Sequence, residues 1–245
     1  MGCDIHIYVE KKIGDTWYPL TPPQHNPYYE PGDEEEGGPW SQPLTLDHRD
    51  YDIGRNYRVF SMLAGVRNGH GFAGIKTGEP ITPISEPRGL PDDVCAEIKE
   101  ISDAWDIDGH SHSHFTLAEL DAVPWKQNEI HSCGWVDAAQ FQVWEKEGQP
   151  QQWCGDMTGD SVVKIPNDEM RAMLALEGAD LELPDNPYFG FAKLNGTTFL
   201  TQVEWSNSWA EIAGELLASM EKLRAAGAAE GFGPGQLRYT FWFDN

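Results

Sequence analysis

Met1-Gly2-Cys3-Asp4-Ile5-His6-Ile7-Tyr8-Val9-Glu10 opens the chain with an unbroken alternation. Cys3, Ile5, Ile7 and Val9 share one parity; Asp4, His6, Tyr8 and Glu10 share the other. Successive side chains of a strand point to opposite faces, so the stretch predicts a half-buried strand, apolar on one face and polar on the other. Lys11 to Asp15, with Gly14-Asp15 at the tip, predicts a turn, and Thr16 to Leu20 the returning strand. At the far end Leu237, Tyr239, Phe241 and Phe243 alternate with Arg238, Thr240 and Trp242, which predicts a closing strand able to lie beside the first.

Helices are expected between these ends. Arg55 to Val66 carries an apolar stripe and stops at Gly65. Leu90-Pro91-Asp92-Asp93 has the proline and acids of a helix start. Thr116-Leu117-Ala118-Glu119 is a capping box, and the helix it begins must end before Pro124. Asn167 caps a helix over 168–177, and Ser208-Trp209-Ala210-Glu211 begins the longest helix, running to Ala226 with Gly227 as its stop. Residues 125–165 read as short strands and turns, and Asn195-Gly196 as a hairpin tip. Residues 21–47, rich in proline, glycine and acid, read as a long surface loop or insertion. There is no βαβ rhythm. The expected fold is α+β: a single domain over 1–245, with an antiparallel or mixed sheet that includes both terminal strands.

Composition limits function. The 245 residues carry a net charge of −23, which opposes general binding to nucleic-acid backbones and to anionic membrane surfaces. No apolar run is long enough to span a bilayer. Cys3, Cys95, Cys133 and Cys154 form no C-x-x-C pair, and no secretory signal is recognisable, so reduced thiols in a cytosolic protein are expected. Cys3 has core parity. His131-Ser132-Cys133 would place an imidazole and a thiol on one strand face, the minimum for a cysteine nucleophile.

Two constellations carry candidate chemistry. Asp4 and His6 are two apart on a strand, and His110, His112 and His114 repeat that spacing; if both segments are extended and meet, carboxylate and imidazole could hold a divalent ion such as zinc or manganese. Asp4, His6, His110 and His112 are the candidate ligands, with Glu10 or Asp108 as the base that works on a metal-activated water and Asp106 in support. The plainer reading is a wetted strand face and a polar loop. Residues 49–88 hold the second: Arg49, Arg55, Arg58, Arg67, Lys76 and Arg88 outnumber Asp50, Asp52, Glu79 and Glu86 within an acidic chain. Arginine forks suit phosphate or carboxylate, so Arg55, Arg58, Arg67 and Arg88 are candidate contacts to a small anionic ligand. The plainer reading is ordinary ion pairs with surplus carboxylates.

Met1-Gly2-Cys3-Asp4-Ile5-His6, Arg55-Asn56-Tyr57, Leu63-Ala64-Gly65-Val66-Arg67, Pro87-Arg88-Gly89-Leu90-Pro91, Asp108 through Ser113, and Phe241-Trp242-Phe243-Asp244-Asn245 together resemble a group of uncharacterised bacteriophage and prophage proteins. The resemblance implies a phage accessory protein acting in the cytoplasm of the bacterial host, and brings no activity with it. Two functions follow as expectations. One is a metal-dependent hydrolase acting on a small phosphorylated or nucleotide-like ligand. The other is a non-catalytic anti-defence protein that binds a host defence protein or sequesters a signalling nucleotide.

Overall fold

The computed structural model describes residues 2–32, 38, 41–47, 49–159, 162–186 and 190–244. Its strands and helices run, in chain order, β1 (Ile5–Ile13), β2 (Thr16–Pro19), β3 (Pro23–His25), β4 (Leu44–Leu46), α1 (Tyr57–Ala64), α2 (Ala96–Asp103), β5 (His110–Thr116), α3 (Leu117–Asp121), β6 (Glu129–Asp137), α4 (Ala138–Glu147), β7 (Val162–Lys164), α5 (Asn167–Leu174), β8 (Leu181–Glu182), β9 (Lys193–Leu194), β10 (Thr198–Ser208), α6 (Trp209–Ile212), α7 (Gly214–Glu230) and β11 (Leu237–Phe243). The chain is α+β, as its patterning predicts. It gathers into two compact units, one of residues 1–68, 81–128 and 209–245, the other of 69–80 and 129–208. Both units are discontinuous in sequence, so no linker composition marks where one gives way to the other.

The first unit is built on a four-stranded sheet in the order β2-β1-β11-β5. The terminal strands lie side by side and antiparallel, with Ile5 opposite Phe243, His6 opposite Trp242 and Glu10 opposite Arg238. The half-buried expectation for β1 changes here. Tyr8 and Glu10, on its polar parity, are buried. The side chains of Tyr8 and Trp242 form an apolar patch, and Leu46, Cys95 and Ile98 cover it. β11 has flanking strands on both edges and is buried at every residue.

Local chemistry sets the helix ends. Asn56 caps α1 by accepting from the amides of Arg58 and Val59, and Gly65 ends it in the left-handed region at φ 67°. The capping box at Thr116 and Glu119 forms as expected. Pro91-Asp92-Asp93 does not start a helix; α2 begins at Ala96 because Asp93 instead bonds Arg238 (2.7 Å) and Trp17 (3.0 Å). The long C-terminal helix passes through Gly227 and ends at Gly231. Gly227 serves close packing: a Cβ there would stand 2.3 Å from Leu237 Cδ1. Within 21–47, β3 and β4 pair as a ribbon anchored by Asn26, whose side chain donates to Gln42 O. The acidic run at 33–37 lies outside the described residues.

The second unit holds β6, β10 and β7 in that order. β10 runs antiparallel to β6 and parallel to β7. α4, which the short-strand reading of 125–165 misses, is capped by Asp137 and ended by Gly148 at φ 80°. Phe141 from α4 and Met170 from α5 join Val136, Val203 and Trp205 in a core on one sheet face. Asn195 and Gly196 both take positive φ in a tight turn between β9 and β10, as their pairing in sequence predicts. No helix among the described residues is long and apolar enough to cross a membrane.

Candidate functional site

His6, His110 and His112 sit in one sheet, with Asp4 just before its first strand, but the sheet keeps β1 and β5 apart. β1 and β5 flank β11, so two inter-strand spacings, about 10 Å in all, separate their backbones. Trp242 lies between them: its fully buried ring stacks on His6 with centroids 6.0 Å apart and on His112 at 5.6 Å. Each imidazole already has a partner, His6 Nε2 with Asp244 Oδ2 at 3.2 Å and His112 Nε2 with Ser102 Oγ at 2.9 Å. Burial pushes the His112 pKa down, the nearby His110 adds to that, and Asp103 opposes it.

The His–Ser run is extended, but its three imidazoles do not share a face. Ser111 takes φ 52° at a register shift, which places His110 opposite Phe243 rather than in phase with His112. Phe243 faces Ile5 across β1, the parity opposite to His6. Asp4 is also engaged: Arg55 Nε donates to its Oδ1 at 2.6 Å and Nη2 to Oδ2 at 2.5 Å, holding the Asp4 carboxyl below its usual range. No group of three His, Cys, Asp or Glu side chains among the described residues is placed to hold a metal ion.

The proposed bases fare differently. Glu10 is fully buried and accepts from Arg238 Nε (2.9 Å) and Nη2 (3.0 Å), Thr240 Oγ1 (2.7 Å) and the Cys95 amide (2.9 Å). Four donors on two oxygens leave it no room to take a substrate proton, so its role is structural. Asp106 and Asp108 lie exposed on a short 3₁₀ turn.

Of the four arginines, two converge. Arg67 Nη2 donates to Gly2 O at 3.3 Å, and a Cβ on Gly2 would meet Arg55 Nη1 at 3.0 Å. They close on the chain's own Gly2–Asp4 segment, with Arg67 also over the Tyr57 ring. Arg58 is half-buried on α1. Arg88 is held by Glu119 (2.7 Å), the His114 carbonyl (3.2 Å) and the Phe115 ring. Arg55, Arg88 and Arg49 thus follow the plainer reading, each paired with a carboxylate. Cys3 is core, as its parity predicts, and burial raises its thiol pKa.

The second unit assembles a groove that the sequence reading only touched. The β6–β10 register makes His131–Ser206, Cys133–Glu204 and Trp135–Gln202 cross-strand pairs. Directly paired residues of one parity share a face, so all six line the face opposite the Val136–Val203 core. His131 Nδ1 and Ser206 Oγ are 2.6 Å apart. Residues 76–79 run along the outer edge of β6: Cys133 N donates to Thr77 O and Glu79 N to His131 O. Gly78 is required there, because a Cβ would lie 2.2 Å from the His131 carbonyl oxygen. Lys76 and Glu79 form an ion pair at 2.6 Å at the rim, and Lys76 lowers the Glu79 pKa.

These residues bound a groove of about 560 Å³. His131 and Cys133 share the face their spacing predicts. Ser206, Glu204 and Gln202 are the functional candidates missed. Their alternation with Val203 and Trp205 is legible in sequence, but their register against β6 is not. Comparisons with protein-family models, with curated proteins and with solved structures found no match to this chain.

Proposed function

We propose that this chain is a small-molecule-binding protein whose working surface is the β6–β10 groove, and that its ligand is a polar molecule bearing an amine. Glu204 carries this reading: its carboxylate is exposed in the groove beside Cys133 and has no hydrogen-bond or ion-pair partner among the described residues. Glu79 and Glu204 outnumber Lys76, and a chain of net charge −23 draws cations toward it. The volume lies within the range of small-molecule sites, and His131, Ser206 and Gln202 supply the few polar groups that fix orientation. In a phage setting, which rests on the sequence resemblance alone, such a protein works by sequestering a host metabolite or signal. Metal-dependent hydrolysis at Asp4, His6, His110 and His112 draws no support from their placement.

The test is a thermal-shift and calorimetric screen of amines, amino acids, aminosugars and nucleotides against the full chain and its Glu204→Gln variant. An amine whose binding weakens at least tenfold in the variant, about 1.4 kcal/mol, supports the reading. Binding confined to phosphates or carboxylates, or undisturbed by Glu204→Gln, refutes it.

A second reading is favoured by the 2.6 Å approach of Ser206 Oγ to His131 Nδ1. An imidazole at that distance can take the hydroxyl proton as the oxygen attacks an ester carbonyl and give it to the alcohol that departs as the acyl–oxygen bond breaks, leaving an acyl-serine for water to cleave. Covalent labelling of Ser206 by a fluorophosphonate, abolished in His131→Ala, is the expected result for a hydrolase. An unlabelled folded protein leaves binding as the function.

A further inference from the structure

A second cavity of about 440 Å³ opens in the same unit beside the C-terminal end of β6. Trp135 and Trp153 supply aromatic surface, and Gln140, Gln151 and Gln152 supply amides. Trp153 lies over Gly134, where a Cβ would come within 2.5 Å of its ring, and meets Trp205 edge-on at 5.3 Å. It nonetheless remains 37% exposed. The ring is therefore packed over part of its surface while more than a third of the residue stays exposed at the cavity.

Hydrogen bonds orient the amides. Gln140 Oε1 accepts from the backbone amides of Gln151 and Gln152, both at 3.0 Å. Its carbonyl is thus turned toward the chain, and its NH₂ has no partner among the described residues. The side-chain amide of Gln152 likewise has none. Charge is absent from the lining in effect. Asp137 is buried and bonded to the amides of Gln140 (2.9 Å) and Ala192 (2.6 Å). Lys164, over the Trp135 ring, is paired with Asp156. The Cys154 thiol donates toward Trp135 O, and burial raises its pKa, which keeps it neutral.

Exposed indole surface beside uncharged amides matches a particular ligand chemistry. A pyranose presents an apolar C–H face to an aromatic ring, and hydroxyls that both donate and accept, as an amide side chain does. A charged ligand would find no counter-charge here, and a nucleotide's phosphates would meet an acidic chain. We propose that this pocket binds a neutral sugar ring, stacked on Trp153 and hydrogen-bonded by Gln140 and Gln152. The site is separate from the Glu204 groove and does not depend on its function.

The experiment is titration of the ¹⁵N-labelled full chain with glucose, galactose, mannose, N-acetylglucosamine, maltose and cellobiose. The indole N–H of Trp153 and the side-chain amides of Gln140 and Gln152 are followed. The expected result is a saturable shift of these signals by at least one sugar. Its affinity falls about tenfold in Gln152→Leu, the size of one lost hydrogen bond, and is unchanged in Glu204→Gln. Gln152 lies in a loop, so its variant stays informative if Trp153→Ala fails to fold. No shift with any of these sugars at their solubility limits overturns the proposal. So does a shift produced instead by adenosine or uridine, or sugar binding that Gln152→Leu leaves intact.

Discussion

Replacing Glu10 tests whether the polar end of β1 is chemistry or architecture. Its carboxylate is 0% exposed and Arg238 is 4% exposed, so the pair is desolvated on both sides. Glu10→Ala removes both arginine contacts and strips acceptors from Thr240 and the Cys95 amide. Arg238 keeps its ion pair with Asp93 Oδ1 (2.7 Å), a longer bond to the Asp93 carbonyl (3.5 Å) and its position over the Trp17 ring, 4.0 Å from the centroid. Leaving one member of a buried pair uncompensated costs about 3–5 kcal/mol, whereas replacing both members with apolar residues of similar volume is near neutral or stabilising. Because Asp93 still pairs with Arg238, Glu10→Ala is expected to lose about 3 kcal/mol, the lower end of that range, in urea unfolding followed by tryptophan fluorescence, a midpoint shift of about 1–2 M. The double variant Glu10→Met/Arg238→Met should recover most of it. A loss below about 1 kcal/mol in Glu10→Ala, with no recovery in the double variant, would refute the structural assignment.

Gly227→Ala should destabilise by about 1–3 kcal/mol because its methyl enters the buried Leu237 side chain, outweighing a helix-propensity gain of about 1 kcal/mol. Gly214→Ala, with nothing within 4 Å of the added carbon, should be neutral or stabilising, and thermal melts of the two variants check the contrast. His112 has its pKa lowered by burial, so its contribution is fully present above the ordinary value of 6.5 and is lost as pH falls below that toward the folded-state value. His112→Gln, which can still bond Ser102, should flatten the acid side of the stability profile below pH 6.5, and an unchanged profile would show that the imidazole does not titrate with folding.

The alternation of residues 1–10 and 237–243 was enough to set two strands, and the Thr116–Glu119 capping box and the Gly65 stop were legible because such signals act within a few residues. By contrast, Asn167 lies inside α5 behind Pro166, and Ser208 precedes only the four-residue α6, while the longest helix starts at Gly214 and runs past Gly227. Even the Asn195-Gly196 turn and the His131–Cys133 face were legible. Strand periodicity says which residues share a face, but not what covers that face. Tyr8 and Glu10 have the parity of a wetted surface, yet Leu46, Cys95 and Ile98 pack over one, and Arg238, from the other end of the chain, neutralises the other. A single left-handed residue, Ser111, put His110 out of phase with His112, which no composition rule foretells.

The candidate chemistry moved for the same reason. The sequence by itself determined the α+β class, the terminal strands, the end of α1 at Gly65, the start of α3 at Thr116 and the acidic character, each a property of local pattern or summed charge. Tertiary structure decided which polar groups were already satisfied. It gave Asp4 to Arg55, Arg88 to Glu119 and Glu10 to Arg238, and it brought Ser206 to His131 across 75 residues of chain. Hydrogen-bond and ion-pair partners are assigned by the register of strands far apart in sequence, and that register is fixed only when their buried faces pack together.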